Sequence, residues 1–338
     1  MATIDEIKEK TQAVNASVDE KTETADKMSI RDIDNKLTAL EEEISVLSDN
    51  LDQVELLSVL HAEYDKTAAM AADLTPGEKV FLARHIRRPK VDDYINALFD
   101  DFFVQRGDVL NKEDQSIYGG IGMFHGVPVT VLGHRKGRDL TENMQFNFGM
   151  PEPEGYRKAL RMMKQAEKFG RPIITFIDTP GAYPGLDAEA HGQSQAISRN
   201  LAEMSALKVP VIAIVTGEGS SGGALAIGVA NSVYMLENAV YSVLSPEGFA
   251  SILWKDSSRS DEACKLMKLT AQDLLHFGVI EGIISEPLGG AHHNPSVVYR
   301  DIDEMLVREL RHFKGKSGVE IARERYEKFR HIDSYVLG

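Results

Sequence analysis

The chain has 338 residues, enough for one large domain with an appendage, and its 52 acidic and 38 basic side chains give a net charge of −14. That charge excludes a global positive field for nucleic acid or anionic lipid, so we predict neither a nucleic-acid partner nor a membrane partner. A single cysteine excludes an internal disulfide framework and a cysteine-rich zinc site. We predict no metal site in this chain and, with no apolar leader or membrane span in the sequence, a cytoplasmic location.

The composition changes near residue 75, where the first glycine and proline of the chain occur. Residues 1–30 are polar with scattered charge, so we expect this extension to be disordered. Residues 31–75 are predicted to be a helical segment, because apolar residues recur there at alternating spacings of four and three. These positions are Ile33, Leu37, Leu40, Ile44, Leu47, Leu51 and Val54. We expect one or two helices in this segment, and the spacing predicts a helix over 33–58 whose apolar seam packs on another helix.

Beyond residue 75 the pattern alternates between strands and helices. In chain order, we predict a hairpin over 121–134, a helix over 153–170, a buried strand over 173–179, a long helix over about 189–207, a buried strand over 211–217, a short helix, and the segments 232–237 and 241–246. Continuous apolar strands separated by helices indicate parallel strands joined by crossovers. A helical tail is predicted over 316–338.

The stretch TGEGSSGGALAIG follows the second buried strand and fits three unrelated motifs. Gly217, Gly219 and Gly222 fit the dinucleotide-binding pattern G-x-G-x-x-G. Gly219, Ser221 and Gly223 fit the nucleophile elbow G-x-S-x-G of serine hydrolases. In the third interpretation no side chain acts, and the amides of Gly222 and Gly223 face an oxyanion from the start of a helix.

The first two interpretations each need further residues or elements elsewhere in the chain. A dinucleotide site needs a longer crossover helix than the sequence allows, and Glu237 would have to bind the ribose. A hydrolase needs a later histidine, for which His276, His292 and His293 are available, but Ser221 sits in a run of small residues that is typical of a helix cap or first turn. A purely structural role of the glycines in tight packing also stays open.

The third interpretation uses a second turn, TPGAYPG, at the end of the preceding strand. Its prolines stiffen the backbone, and its glycines permit unusual φ values and close approach of a ligand. Two such turns at neighbouring parallel strands would form a crevice with converging N–H groups. We predict catalytic amides at Gly222 and Gly223. Further substrate contacts are predicted at Gly181, Ala182, Tyr183, Gly185, Gly219 and Ser221.

Three long stretches, RPIITFIDTPGAYPG, GQSQAISRNLAEMSALKVPVIAIVTGEGSSGGALAIGVAN and YSVLSPEGFASILWK, together resemble the α subunit of the carboxyltransferase component of multi-subunit bacterial acetyl-CoA carboxylase. The resemblance covers residues 35–315, roughly. It implies an α/β fold of the crotonase-like (ClpP/crotonase) class over 76–315, a spiral of ββα units preceded by the N-terminal helical segment. In GHRKGRD, Arg135, Lys136 and Arg138 are candidates for contacts to CoA phosphates or a carrier protein, or belong to an ordinary solvated loop.

The resemblance also implies an activity. Enzymes of this family transfer the carboxyl group of carboxybiotin, held on a separate biotin carboxyl carrier protein, to acetyl-CoA, and so form malonyl-CoA for fatty-acid synthesis. The implied partners are a β subunit in an α2β2 assembly, the carrier protein and an ATP-dependent biotin carboxylase. Gly222 and Gly223 would serve the biotin oxyanion and the β subunit the thioester oxyanion. The alternatives are another acyl-CoA acceptor, a serine hydrolase acting through Ser221, and a non-catalytic scaffold.

Overall fold

The computed structural model describes residues 28–48 and 53–332. The chain divides into two compact units, residues 1–71 and 72–338. The predicted disordered extension lies outside the described residues except for its last three positions. Within the described ranges, no helix combines the length and the apolar character needed to cross a bilayer.

The first unit contains two helices, α1 (Ile30–Leu47) and α2 (Val54–Ala69), which pack on each other. The Ser29 side chain caps α1 by accepting a hydrogen bond from the Asp32 amide. Ile33, Leu37 and Leu40 are buried, so this part of the predicted seam is a packing face, and Lys36 forms an ion pair with Glu63 across the two helices.

The prediction of one helix over 33–58 is wrong. Helix α1 ends at Leu47, and α2 begins at Val54, whose side chain is 68% exposed. Ser48 follows Leu47 as the C-cap residue, and its hydroxyl donates a hydrogen bond to the Ser45 carbonyl, which is typical of a serine at a helix end. The apolar residues keep their regular spacing across this break, so the spacing did not indicate where the first helix ends.

The packing face of α1 allows a matched test. We expect Leu40→Asp to lower the free energy of unfolding by about 3 kcal/mol or more, because a side chain that is 8% exposed becomes a buried carboxylate. Val46→Asp, on the same helix but 77% exposed, should change it by less than about 0.5 kcal/mol. Thermal and urea unfolding of both full-length variants checks this, and equal stability of the two would contradict it.

The second unit is built on a mixed eight-stranded sheet with the order β1-β2-β3-β4-β5-β6-β8, in which β7 also pairs with β5. The strands are β1 (Asp100–Val104), β2 (Ile117–Phe124), β3 (Val127–His134), β4 (Ile173–Thr179), β5 (Val211–Ser220), β6 (Ser232–Leu236), β7 (Val240–Ser242) and β8 (Gly282–Ile284). Strands β1, β2 and β3 run antiparallel, and the pairs from β3 onward are parallel. The predicted parallel crossovers are thus confirmed.

Helices surround this sheet. They are α3 (Pro76–Ala83), α4 (Val91–Leu98), α5 (Leu140–Gln145), α6 (Pro153–Phe169), α7 (Leu186–Ala190), α8 (Gln193–Ala206), α9 (Ser221–Leu225), α10 (Pro246–Trp254), α11 (Ser260–Met267), α12 (Ala271–His276), α13 (Pro295–Phe313) and α14 (Gly318–His331). Every residue of β4 and β5 is buried, as expected for strands covered on both faces.

Most predicted elements of this unit are confirmed. The hairpin turns at His125 and Gly126, both with positive φ, and α6 ends at Gly170 in the left-handed conformation. The predicted long helix over 189–207 is two helices, α7 and α8, because Gly192 between them has a φ of +83°. The tail helix α14 begins with a capping box at Ser317.

The base of the sheet is closed by a buried arginine of α14. The Arg325 guanidinium donates hydrogen bonds to the carbonyl oxygens of Met204, Leu207 and Val209, each at 2.8 Å. Burial lowers the pKa of Arg325 to about 10, which still leaves the side chain charged at neutral pH. The α14 helix is therefore fixed to the end of α8 and the start of β5.

Candidate active site

The two glycine turns lie side by side at the carboxyl ends of β4 and β5. Thr179 at the end of β4 pairs with Gly219 of β5. A Cβ atom at Gly223 would lie 2.6 Å from the Ala182 nitrogen and 2.6 Å from the Gly181 carbonyl carbon. Only glycine allows this approach of the two backbones, so the predicted neighbourhood of the turns is confirmed by their contact.

The second turn opens directly into α9. Its N-cap residue, Ser220, makes no side-chain capping hydrogen bond. The amides of Gly222 and Gly223 lie in the first turn of this helix, where no intrahelical acceptor exists. These two N–H groups are therefore the donors that the end of β5 can offer to a ligand.

The first turn contributes a different donor. The Gly181 N–H donates to Thr179 Oγ1 at 3.0 Å, and that hydroxyl donates to the Gly181 carbonyl at 2.8 Å, so this amide is occupied. The Ala182 N–H, which lies against Gly223, has no acceptor among residues 53–332. Beside Gly181, whose φ is +142°, no atom lies within 4 Å of the position that a Cβ would take. Open space therefore adjoins the contact between the turns.

Tyr183 and Gly185 complete the first turn. The Tyr183 N–H donates to the Pro151 carbonyl at 3.0 Å, and the Gln193 side chain donates to the Tyr183 carbonyl at 3.0 Å. A Cβ at Gly185 would lie 2.4 Å from the Tyr183 ring, so glycine lets that ring fold back over the turn. Gly219 lies one step inside the sheet, where a Cβ would meet the Tyr241 ring at 2.9 Å.

Ser221 has a strained backbone and, among the described residues, no catalytic partner. Its φ is +56°, an uncommon value for a residue with a side chain, and it is exposed. The small-residue run therefore does turn sharply at Ser221, as an elbow would. However, its hydroxyl makes no hydrogen bond to any residue in the described ranges, and neither His276, His292 nor His293 approaches it within hydrogen-bonding distance. Those residues assemble no Ser-His pair.

The described residues also lack the crossover helix and the free carboxylate that a dinucleotide site needs. Helix α9 has five residues, too few for the crossover helix of such a site. The Glu237 carboxylate accepts a hydrogen bond from the Glu286 amide at 3.1 Å and so belongs to the packing of the neighbouring loop.

A buried charge network supports the turns from below. Lys136 Nζ lies 2.7 Å from Asp178 Oδ1 and 3.1 Å from Glu218 Oε2, and the Glu218 amide donates to Asp178 Oδ1 at 3.0 Å. Arg84 pairs with Glu218 at 2.6 Å from the other side. Burial opposes ionisation of Asp178, but the charges of Lys136 and Lys90 outweigh it and hold the pKa of Asp178 below its usual value. The network fixes the register at the ends of β4 and β5.

The basic loop of the GHRKGRD motif is occupied within the protein. Arg135 pairs with Asp92 at 2.6 Å and Arg138 with Asp93 at 2.6 Å, while Lys136 belongs to the network beneath the turns. Contacts of Arg135 and Arg138 to CoA phosphates or a carrier protein stay a prediction, and any such anion would compete with these carboxylates.

His134, at the end of β3, is a buried residue of the site that the sequence did not reveal. Neither ring nitrogen has a hydrogen-bond partner in the described part of the chain. Burial lowers the pKa of His134 to about 3, and the charge of Asp178 opposes this only in part. At neutral pH the ring beside Gly223 is therefore uncharged.

The family profile described as "acetyl co-enzyme A carboxylase carboxyltransferase-like" matches residues 3–333. Among curated relatives, the acetyl-coenzyme A carboxylase carboxyl transferase subunit alpha of Carboxydothermus hydrogenoformans is 50% identical over 307 residues, which are 89% of this chain and 95% of the relative. The protein of the same name from Anoxybacillus flavithermus is 56% identical over 265 residues, 78% of this chain and 82% of the relative.

Solved structures show the same fold at low sequence identity. A transcarboxylase 12S structure with hydrolysed methylmalonyl-coenzyme A bound superposes with a TM-score of 0.56 at 18% identity, covering 72% of this chain and 46% of that chain. A Pseudomonas malonate decarboxylase hetero-tetramer in complex with coenzyme A gives 0.55 at 16% identity, with 72% and 92% coverage. The predicted crotonase-like α/β fold is confirmed, and with the family match above, the chain belongs to the family of acetyl-CoA carboxylase carboxyltransferase α subunits.

Proposed function

We propose that this chain is the α half of a biotin-dependent carboxyltransferase that forms malonyl-CoA, and that its two glycine turns stabilise the oxyanion of biotin. The observation that carries this proposal is the contact between Gly223 and the Gly181–Ala182 peptide, beside amides that have no acceptor within residues 53–332. Preorganised amide donors of this kind stabilise an oxyanion more strongly than water does.

The residues present fit a group that accepts hydrogen bonds through an oxygen atom. The donors are backbone amides of Ala182, Gly222 and Gly223, and the side chains beside Gly222 and Gly223 include the apolar Ile197 and the uncharged His134. Carboxybiotin, delivered by a carrier protein, would supply the carboxyl group and leave negative charge on its ureido oxygen. The Gly222 and Gly223 amides would donate hydrogen bonds to that oxygen.

The side chains around the two turns would act by holding the amide donors in place. The Lys136 network holds the carboxyl ends of β4 and β5 in register, and the hydrogen bonds of Tyr183 to Pro151 and Gln193 hold the first turn. Gly181, Gly185, Gly219 and Ser221 would shape the walls of the site on which the ring rests. Because the amides need no reorganisation when charge develops, this rigidity contributes directly to the rate.

The second oxyanion, on the thioester of acetyl-CoA, needs a second set of donors. The relatives carry the name "subunit alpha", which supports a partner subunit. We propose a β subunit that binds the CoA thioester in an α2β2 assembly. A biotin carboxyl carrier protein and an ATP-dependent biotin carboxylase would complete the enzyme, which we place in the cytoplasm.

The assembled enzyme can be tested through its reverse reaction. We expect the chain alone to be inactive, and the chain mixed with its β partner to decarboxylate malonyl-CoA when free biotin is present. The rate of acetyl-CoA release, monitored by chromatography in the presence and in the absence of biotin, measures the decarboxylation. Methylmalonyl-CoA serves as the matched substrate control, and faster turnover of it would shift the proposal to another acyl-CoA. Turnover by the isolated chain would contradict the need for a second subunit, and inactivity of the mixture would favour a scaffold.

The strained φ of Ser221 is the one observation that favours a serine hydrolase, so it needs its own test. We expect Ser221→Ala to keep most of the reverse activity, because alanine removes the hydroxyl and leaves the neighbouring amides in place. Ser221→Gly, which relieves the positive φ, is the control for backbone strain. Reverse turnover of both variants and labelling of the wild type by a fluorophosphonate measure this. Labelling at Ser221, with loss of activity in Ser221→Ala, would establish the nucleophile.

A further inference from the structure

A cleft of about 640 Å³ lies at the end of the sheet opposite to the glycine turns. Its floor includes Pro172 and Pro210, the residues that immediately precede β4 and β5. Its volume falls within the range of small-molecule sites, roughly 300–1,000 Å³. The cleft shares no residue with the candidate active site.

The wall of this cleft is apolar. It is formed by Phe124 at the end of β2, by Val307, Leu310 and Phe313 on α13, and by Ile321 on α14. Phe124 and Phe313 are buried, and Leu310 and Val307 pack against the main core. Val127, 42% exposed, marks the open edge of this wall. A hydrocarbon chain lying here would be removed from water along most of one side.

The rim of the cleft is basic and unpaired. Lys208, Arg311 and Lys314 line it and are exposed, and none of these side chains has an ion-pair or hydrogen-bond partner among residues 53–332. Lys316 also lines the cleft, but it is held by Glu324 at 2.7 Å. In a chain with a net charge of −14, these three cations around one apolar cavity form a local positive region, in which the charge of Lys208 also acts on Glu167 and lowers the pKa of that carboxyl.

We propose that this cleft binds a single-chain amphiphile with an anionic head group, with its chain on the apolar wall and its head at Lys208, Arg311 and Lys314. The apolar wall explains why the ligand carries a hydrocarbon chain, and the basic rim explains why its head group is negatively charged. A free fatty-acid carboxylate and a fatty acyl thioester of coenzyme A share this chemistry. A polyanion without a chain would leave the apolar wall unused, and a neutral lipid would leave the rim unused.

Isothermal titration calorimetry on the full-length chain tests the proposal with probes of one chain length. Decanoate and decanoyl-CoA, below their micelle concentrations, are expected to bind at one site, and the tighter of the two identifies the source of the ligand. Decyltrimethylammonium, which has the same chain and the opposite charge, and coenzyme A, which has no chain, are expected to bind at least about tenfold more weakly.

Two variants locate the site, and a third is the matched control. Arg311→Gln combined with Lys314→Gln is expected to weaken decanoate binding about tenfold, because charge-assisted contacts are lost. Val127→Glu, which places a carboxylate on the exposed edge of the wall, is expected to weaken it at least as much. Arg300→Gln also removes an exposed cation from α13, but away from the cleft, and should leave binding unchanged.

Each contrary result overturns the proposal. Equal binding of decanoate and decyltrimethylammonium would show that charge does not select the ligand. Unchanged binding in both cleft variants would place the amphiphile elsewhere. Loss of decanoate binding when a β partner is added at saturating concentration would show that this face is a protein interface instead.

Discussion

Gly223→Ala is expected to reduce reverse turnover of the assembled enzyme by about 10²- to 10³-fold. The added Cβ would lie 2.6 Å from both the Ala182 nitrogen and the Gly181 carbonyl carbon, which are backbone atoms that no side-chain rotation can move away. Either turn must therefore shift, and the Gly223 amide shifts with it. A displacement of about 1 Å is enough to cost a rate of this order when amides must meet a developing charge.

Gly222→Ala is the matched control for this substitution. A Cβ at Gly222 would meet only the Ile197 side chain, at 3.4 Å, which is an ordinary contact. Both variants keep every amide N–H, so a difference between them reports the position of the backbone and not the loss of a donor. Gly223→Pro, which removes the N–H itself, should be at least as impaired as Gly223→Ala.

The measurement is kcat for malonyl-CoA decarboxylation at saturating substrate, together with retained binding to the β partner and an unchanged circular dichroism spectrum. A fall in kcat that is confined to the Gly223 variants supports the oxyanion hole. Full activity of Gly223→Ala in an assembled and folded enzyme would show that the contact between the turns has no catalytic role. Equal loss in Gly222→Ala and Gly223→Ala would show a general sensitivity of the turn.

The local parts of this site could be predicted from the sequence because their signals are local. Continuous apolar runs marked β4 and β5 as buried strands, and the glycines and prolines after them marked the turns. The same reasoning could not find the approach of Gly223 to Ala182, because that distance depends on how two strands about forty residues apart are registered. Sequence periodicity predicts which face of a strand is buried, but not which residue faces a given residue of the next strand.

The supporting charges illustrate the same limit. Asp178 lies inside an apolar strand and Glu218 in a glycine-rich run, and nothing in either stretch indicates that Lys136 would join them. The sequence left open whether the basic loop contacts an anion, a carrier protein or only solvent, and it did not indicate that Asp92 and Asp93 pair with Arg135 and Arg138. Likewise, the break at Gly192 could not be foreseen, because an isolated glycine is tolerated in many helices. Which charged side chains form an ion pair depends on the tertiary structure, so the spacing of charges along the chain does not determine it.

Arg88→Met is expected to lower the free energy of unfolding by about 3–5 kcal/mol, the largest stability effect that we predict. Arg88 and Glu286 form a fully buried ion pair with side-chain exposures of 1% and 0%. The carboxylate also accepts hydrogen bonds from the backbone amides of Asn238 and Ala291, both at 2.9 Å, and Arg88 donates to the Thr216 carbonyl of β5. Removing the guanidinium leaves Glu286 buried without its countercharge.

The pH dependence of this loss distinguishes the ion pair from simple loss of packing. Burial opposes ionisation of Glu286, but the charge of Arg88 outweighs it and lowers the pKa of Glu286 below the ordinary value of 4.5. The stability that the pair contributes is therefore present above the unfolded-state pKa and is lost as the pH falls through the folded-state pKa. In Arg88→Met the same carboxyl lacks its countercharge, so its pKa should rise and protonation should relieve the variant. The difference in free energy of unfolding between wild type and Arg88→Met should thus shrink as the pH is lowered from 7 toward about 4.

Urea unfolding of both proteins across this pH range, with Arg300→Gln as the exposed-arginine control, provides the measurement. Arg88→Met combined with Glu286→Leu should recover part of the loss, because no charge is then left unpaired. The recovery should be incomplete, because the amides of Asn238 and Ala291 would lose their acceptor in a buried site. A difference that stays constant with pH, or a double variant as unstable as the sum of its single changes, would mean that Arg88 acts through its volume and its bond to Thr216 and not through its charge.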